Sequence, residues 1–591
     1  MQGGNSMNVK LKEKPYFLND EQIQWVKDTI ATLSLDEKIG QLLCPSALML
    51  NNKTIKNITQ KYKAGSLMIR PMGVKGLQKN IRKMQEESKI PMLISANLEN
   101  GGKGAINQGT FFSTPMGCSA TKNIENGYRL GKISCREGAS VGVNWAFAPI
   151  VDIDLNYHNP ITNTRTFGND KETVLKMALQ YMKAAKEEDV CVSIKHFPGD
   201  GVDERDQHLL VSVNELSYED WMNSYGYIYQ NLIDNGAETV MVGHISQPAV
   251  AQAINPDLPK EDAFFPASQS KTLMTGLLRE KLNFNGVIVT DSTLMVGYMQ
   301  SLPRKLAVPY SIECGADIIL FNRSIDEDIQ YIREGLTMGI LSNERFEDAV
   351  TRVLALKASK NLHIKKEKKT IVPDVDPLDI LHNDEAVRWS RELADNAITL
   401  VKDTKQNLPI SPLKTKRVYL NVIEPVVINN SKFSKEIKKR LEKEGFEVTL
   451  RKRDVGFTLE NIKKGVFKPS FWKMIKEIYS DTESFVSKYD LCIIVLNMEA
   501  ASNNTVIRID WKVFFGLGND IPWYSGELPL VAISTANPYH LLDLTMAHTY
   551  INTYSGNLES LDALFEKIMG RSEFKGVSPV DPFCNHEDCK I

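Results

Sequence analysis

Eight short apolar or β-branched runs lie before residue 325, at 39–45, 64–71, 91–99, 145–154, 190–197, 238–246, 286–293 and 315–322. Stretches with apolar residues three and four apart separate them, for example 171–188 and 268–282. A continuous apolar run suits a parallel strand covered on both faces, and the amphipathic helix after it supplies one of the covers. Repetition of that unit calls for an α/β fold, and eight repeats close into a (β/α)8 TIM barrel. A doubly wound open sheet would show the same alternation. Its G-x-G-x-x-G turn after the first strand is missing, which removes the expectation of a dinucleotide cofactor.

At 591 residues the chain exceeds what one hydrophobic core organises, so a second domain is required. The helical pattern at 343–362 gives way to HIKKEKKTIVPDVDPLD, charged and proline-containing, which reads as a linker over 363–384. Apolar runs then alternate with helical stretches such as SKEIKKRLEKEG, as in a smaller α/β sandwich over 385–591. The barrel is expected over 19–362. Residues 1–18 read as a tail, and a second methionine at position 7 suggests that MQGGNS is left over from expression engineering.

Apolar residues make up 42% of the chain and charged residues 24%, so nothing points to disorder. A formal net charge of −2 gives no reason to expect a nucleic acid and leaves a small, neutral substrate as the natural partner. Several of the 8 cysteines, such as Cys44 and Cys492, sit in apolar runs, which suits buried free thiols in a reducing compartment, the cytoplasm. Cys584, His586 and Cys589 fall short of a four-ligand zinc site and read as a solvated tail. Nor do His196, His208 and His244 show a metal-ligand spacing, so no metal is expected. The N-terminus lacks an apolar stretch and no segment reaches about 18 apolar residues, which argues against a signal peptide and a membrane span. A monomer or homodimer is expected.

Barrel enzymes carry their chemistry at the C-terminal ends of the strands. There the sequence offers Asn97 and Glu99, Asp152 and Asp154, Lys195 and His196, His244, and Asp291. From position alone Asp291 is equally a nucleophile or base and a cap on the following helix. In the loop KHFPGDGVDERDQH, Pro198, Gly199 and Gly201 permit tight turns before a mobile, charged excursion. Asp206 and His208, two residues apart, can share a hydrogen bond that fixes the imidazole tautomer and raises its proton affinity. An acid/base pair and a solvated acidic loop with an incidental histidine both fit.

The ordered set ENGG (99–102), NPITNTRTFGND (159–170), KHFPGDG (195–201), DQH (206–208) and VTDSTLM (289–295) resembles glycoside hydrolase family 3, specifically its β-N-acetylglucosaminidase branch. The match spans about 35 to 360, and AITLVKD with NPYHLLDL resembles the sandwich domain of many members. The resemblance implies a retaining exo-β-N-acetylglucosaminidase acting on a small carbohydrate, with a role in cell-wall recycling. It makes Asp291 the nucleophile, Asp206 with His208 the acid/base unit, and Arg165, Lys195 and His196 sugar-binding residues. Two positions depart from the family pattern. Asn97 stands where an aspartate usually grips sugar hydroxyls, which loses charge-assisted strength, and Gln207 replaces a common serine between the working side chains, where it should matter less.

An ordinary retaining glycosidase sets two carboxyl groups roughly 5–5.5 Å apart. Here an imidazole replaces the second, able to give and recover a proton near neutral pH. A neutral imidazole repels an incoming anion less than a carboxylate does, so phosphorolysis is a subsidiary expectation. The sequence also admits a β-glucosidase or β-xylosidase drawing Glu499 from the second domain, and a sugar-binding protein without chemistry.

Overall fold

The computed structural model describes residues 9–425, 431–451, 465, 481–500, 502–509, 511, 513–514, 517–518 and 521–591. The chain divides into two compact units: Met1–Ser119 with Asn123–Trp389 and Ala501–Thr505, and Ala120–Lys122 with Ser390–Ala500 and Val506–Ile591.

The first unit is a parallel barrel. Its strands are β1 in two pieces, Leu43–Cys44 and Ser46–Ala47, then β2 Ser66–Ile69, β3 Leu93–Ala96, β4 Trp145–Ala146, β5 Cys191–Phe197, β6 Thr239–Val242, β7 Val287–Thr290 and β8 Ile319–Leu320. Every expected run supplies one strand position. Ser46–Ala47 pairs with β2, and the ladder continues in chain order to β7. Leu43 pairs with Ile319 and Cys44 with Leu320, while Val289 bridges to Ile318, so β8 closes the ring between β7 and β1. All seven residues of β5 are buried, as a strand covered on both faces requires. The run 145–154 pairs regularly only at Trp145 and Ala146 and resumes at the Ile150–Lys195 bridge. Pro149, lacking an N–H, accounts for the gap.

The helix Lys171–Glu187 shows why the covering segments fold as they do. Asp170 caps it by accepting from the Thr173 N–H, and Val174, Leu175, Met177, Ala178, Tyr181 and Met182 form its buried stripe. Part of 268–282 is wound more widely than an α-helix, over Thr272–Lys281.

Residues 9–18, read as tail, are packed instead: Val9, Leu11, Tyr16 and Leu18 are buried in the barrel's core cluster. The stretch 363–384 opens in the helix Leu362–Glu367. It then runs along the barrel, where Gln78 Nε2 donates to Val375 O at 2.9 Å and Arg82 Nη2 to Pro373 O at 3.0 Å.

The second unit holds a six-stranded sheet of β9 Thr399–Asp403, β10 Arg417–Ile423, β11 Glu447–Leu450, β12 Leu491–Leu496, β13 Leu530–Ser534 and β14 Thr549–Asn552. Its order is β9-β14-β13-β12-β10-β11, parallel except for β9. Buried clusters lie on both faces, so alternate residues such as Ile493 and Ile494 enter different clusters. The C-terminal cysteines overturn the expectation of a solvated tail. Cys584 and Cys589 are both buried, Cys589 in one of these clusters. Among the described residues no three His, Cys, Asp or Glu side chains group as a metal site, and no helix is long and apolar enough to cross a membrane.

Candidate active site

Glu99, just beyond β3, is the hub of one side of the barrel mouth. Arg165, in the turn Asn163–Arg165, donates from Nε to Oε2 at 3.1 Å and from Nη2 to Oε1 at 3.0 Å. Lys195 on β5 donates to Oε1 at 2.7 Å and reaches Asn97 Oδ1 at 3.5 Å. Burial by itself would raise the Glu99 pKa, but the two cations hold it well below the usual carboxylate range. Lys195 is shifted down, because burial and the like charge of Arg165 outweigh its attraction to Glu99. Lys195 thus brings Asn97 and Glu99 together, and Arg165 joins them at Glu99. The carboxylate that organises them stands in the sequence at a strand end and opens the ENGG motif, but has no assigned role in the expected site.

On β5 the next residue, His196, meets a different pair of carboxylates. Its Nδ1 lies 2.7 Å from Asp152 Oδ2, and its Nε2 lies 4.0 Å from Asp291 Oδ2. Asp291 follows β7, its N–H bound to Val242 O at 2.7 Å. The Ser292 N–H donates to Asp291 Oδ1 at 2.6 Å, which fixes the carboxylate and leaves Oδ2 toward His196. Burial pushes the Asp291 pKa up, yet His196 foremost, with the Ser292 N–H, brings it below the ordinary value, so this carboxylate is ionised at neutral pH.

His244, after β6, has a supporting place. Its Nε2 lies 2.9 Å from Ser292 O, a contact that requires a proton on Nε2, and Nδ1 then accepts from Ser268 Oγ at 2.8 Å. Burial pulls its pKa down to about 4, so the ring is neutral and holds the turn that carries Asp291.

The loop after β5 is shaped by Gly201. Its φ is +105°, and a Cβ there would sit 1.9 Å from Ile153 O. Beyond it Asp206 Oδ1 accepts from the His208 N–H at 2.8 Å and meets His208 Nδ1 at 2.7 Å. Asp206 is buried while His208 keeps a quarter of its side chain exposed. The other carboxylate oxygen accepts from the Asn503 N–H at 2.6 Å, a contribution from far along the chain that no local motif announces. The His208 carbonyl accepts from the Val296 N–H at 3.0 Å, joining this loop to the segment that follows Asp291.

Far from being a free excursion, the loop is anchored by the residue expected to matter less. Gln207 is fully buried. Its Oε1 accepts from the His244 N–H at 2.7 Å and its Nε2 donates to Asp200 Oδ2 at 3.1 Å. Asp200, raised in pKa by burial and by the Asp152 charge, also accepts from Asn159 Nδ2 at 2.8 Å.

Comparison with known proteins agrees with this architecture. Residues 34–356 match the family described as Glycosyl hydrolase family 3 N terminal domain. The chain is 37% identical over 588 residues to the Beta-N-acetylglucosaminidase/beta-glucosidase of Cellulomonas fimi, covering 99% of this chain and all of the other. Among solved structures it is similar to Beta-glucoside phosphorylase BglX, with a TM-score of 0.87 and 41% identity over 98% of this chain and 99% of that one. It shares its fold with a family 3 β-N-acetylglucosaminidase from Paenibacillus sp. str. FPU-7, with a TM-score of 0.76 at 21% identity over 93% of this chain and 99% of that one. On the barrel with its mouth of paired side chains and on these matches, the chain is an enzyme that belongs to glycoside hydrolase family 3.

Proposed function

We propose that this enzyme removes a terminal β-linked N-acetylglucosamine by double displacement, with Asp291 as nucleophile and Asp206/His208 as acid/base unit. Asp291 Oδ2 attacks the anomeric carbon while His208 Nε2–H protonates the departing oxygen, giving a glycosyl-Asp291 ester and a neutral imidazole. In the second half His208 Nε2 takes a proton from water as the water oxygen attacks the same carbon, and Asp291 leaves. Asp206 keeps the Nδ1 edge of His208 engaged throughout, so the reactive proton stays on Nε2. Lys195, Arg165, Asn97 and His196 hold the sugar hydroxyls and the N-acetyl-bearing ring.

The observation that carries the proposal is the 2.7 Å contact of Asp206 with His208 Nδ1, on a loop hydrogen-bonded to the segment following an ionised Asp291. Steady-state comparison of p-nitrophenyl N-acetylglucosaminide with the glucoside tests the sugar preference. Higher kcat/KM on the N-acetylglucosaminide is expected, and a clear preference for the glucoside would replace N-acetylglucosamine by glucose in the proposal.

A second reading concerns the acceptor. The 41% identical relative is named a β-glucoside phosphorylase, and an imidazole admits an anionic acceptor more readily than a carboxylate would. Phosphate attacking the glycosyl-Asp291 ester needs no general base, and gives a sugar 1-phosphate.

A further inference from the structure

Gln207 is a buried amide between two residues that act at the mouth, and both ends of its side chain are used. The acceptor end takes the His244 N–H at the end of β6, and the donor end reaches Asp200 beyond β5. From these two points the connections continue to both sides of the sugar site. Asp200 N–H donates to Asp152 Oδ1 at 2.8 Å, and Asp152 holds His196. His244 Nε2 holds Ser292 O, next to Asp291. Two glycines make room for the arrangement. A Cβ on Gly243 would lie 2.9 Å from Gln207 Oε1, and one on Gly297 would lie 2.5 Å from the Gln207 carbonyl oxygen.

We infer that Gln207 is a positioning residue: given that His208 is the acid/base group, the Gln207 amide sets where the imidazole stands relative to Asp291. The physical reason is reach. A serine between Asp206 and His208 has one short hydroxyl and spans at most one of the two anchors, whereas the longer amide meets both with a donor and an acceptor. Proton transfer demands placement within hydrogen-bond reach of the leaving oxygen, so a loop released from β6 would be populated away from that geometry. Gln207 is fully buried, its amide engaged by His244 and Asp200, and it acts through His208.

The test is a double-mutant cycle on kcat/KM, which reports the first displacement, with aryl glycosides of graded leaving group. The variants are Gln207→Met, which keeps the volume, Gln207→Ser, and each combined with His208→Ala. Active sites are counted by trapping with a 2-deoxy-2-fluoro glycoside, so that any misfolded fraction does not count. Each single Gln207 variant is expected to lose about tenfold to hundredfold on poor leaving groups, part of the ~10²–10⁴ that a general acid supplies, and at most about threefold on a dinitrophenyl glycoside. In the His208→Ala background neither is expected to cost anything further. Equal loss on every leaving group, or a full additional loss in the double variants, overturns the positioning role. A flat leaving-group series for His208→Ala alone removes the acid/base assignment itself, and is seen before Gln207 is varied.

Discussion

Asp206 Oδ1 meets His208 Nδ1 at 2.7 Å while also accepting the His208 main-chain N–H at 2.8 Å, so one carboxylate oxygen fixes both the ring and the backbone that carries it. A carboxylate can only accept from Nδ1–H, which keeps the exchangeable proton on Nε2. Asp206→Asn removes that constraint, because an amide can donate to Nδ1 and favour the wrong tautomer. The expected loss in kcat is about 10²–10⁴ on poor leaving groups, by analogy with the carboxylate of a Ser-His-Asp triad. An unchanged kcat across a leaving-group series contradicts this.

Glu99 neutralises one of two neighbouring cations, and its removal leaves both unpaired in a largely buried place. Glu99→Gln is expected to lower stability on the order of 3 kcal/mol, less than a fully buried pair would show because Arg165 keeps 28% of its side chain exposed. It is also expected to raise KM more than it lowers kcat. Urea denaturation and steady-state kinetics check both, and an unchanged unfolding midpoint counts against the hub role.

Much of the fold and the site is legible in the sequence, and what is not has a common cause. The eight strand positions can be read because a strand buried on both faces needs a continuous apolar run, and Asp206 with His208 because two residues in one turn need no tertiary knowledge to meet. Gln207 cannot be read, since its partners are a main-chain N–H 37 positions away and a carboxylate that is silent until the loop folds. Glu99 is recognisable at a strand end, yet its value depends on Arg165, which is 66 positions distant. The buried positions of residues 9–18 follow no period, so composition makes them look like tail.

The phosphate reading makes a separate prediction. With an aryl glycoside as donor, millimolar inorganic phosphate should raise turnover and give a sugar 1-phosphate that retains the anomeric configuration of the substrate, as two inversions require. Phosphorus NMR of the mixture detects it. Free sugar as sole product, at a rate indifferent to phosphate, makes water the acceptor.

Acid should weaken the fold through two buried histidines. Burial pulls both His244 and His540 from 6.5 to about 4. As pH falls below 6.5 the unfolded chain takes up these protons while the folded chain does not, so their contribution is complete above 6.5 and is lost between 6.5 and 4. Each contributes at most about 1.4 kcal/mol per pH unit. Denaturation midpoints over that window should fall less steeply in His540→Gln than in the unaltered enzyme, and identical slopes contradict a neutral buried His540.

The central claim, that Asp291 and His208 act on one sugar ring, is tested most directly by mass spectrometry of His208→Ala mixed with a dinitrophenyl N-acetylglucosaminide in phosphate-free buffer. The good leaving group needs no acid, so the first displacement proceeds, and the second stalls for want of a base. The predicted result is a protein heavier by one sugar, with the added mass on the peptide containing Asp291. A sugar found on any other residue, or turnover as fast as in the unaltered enzyme with no adduct, contradicts it.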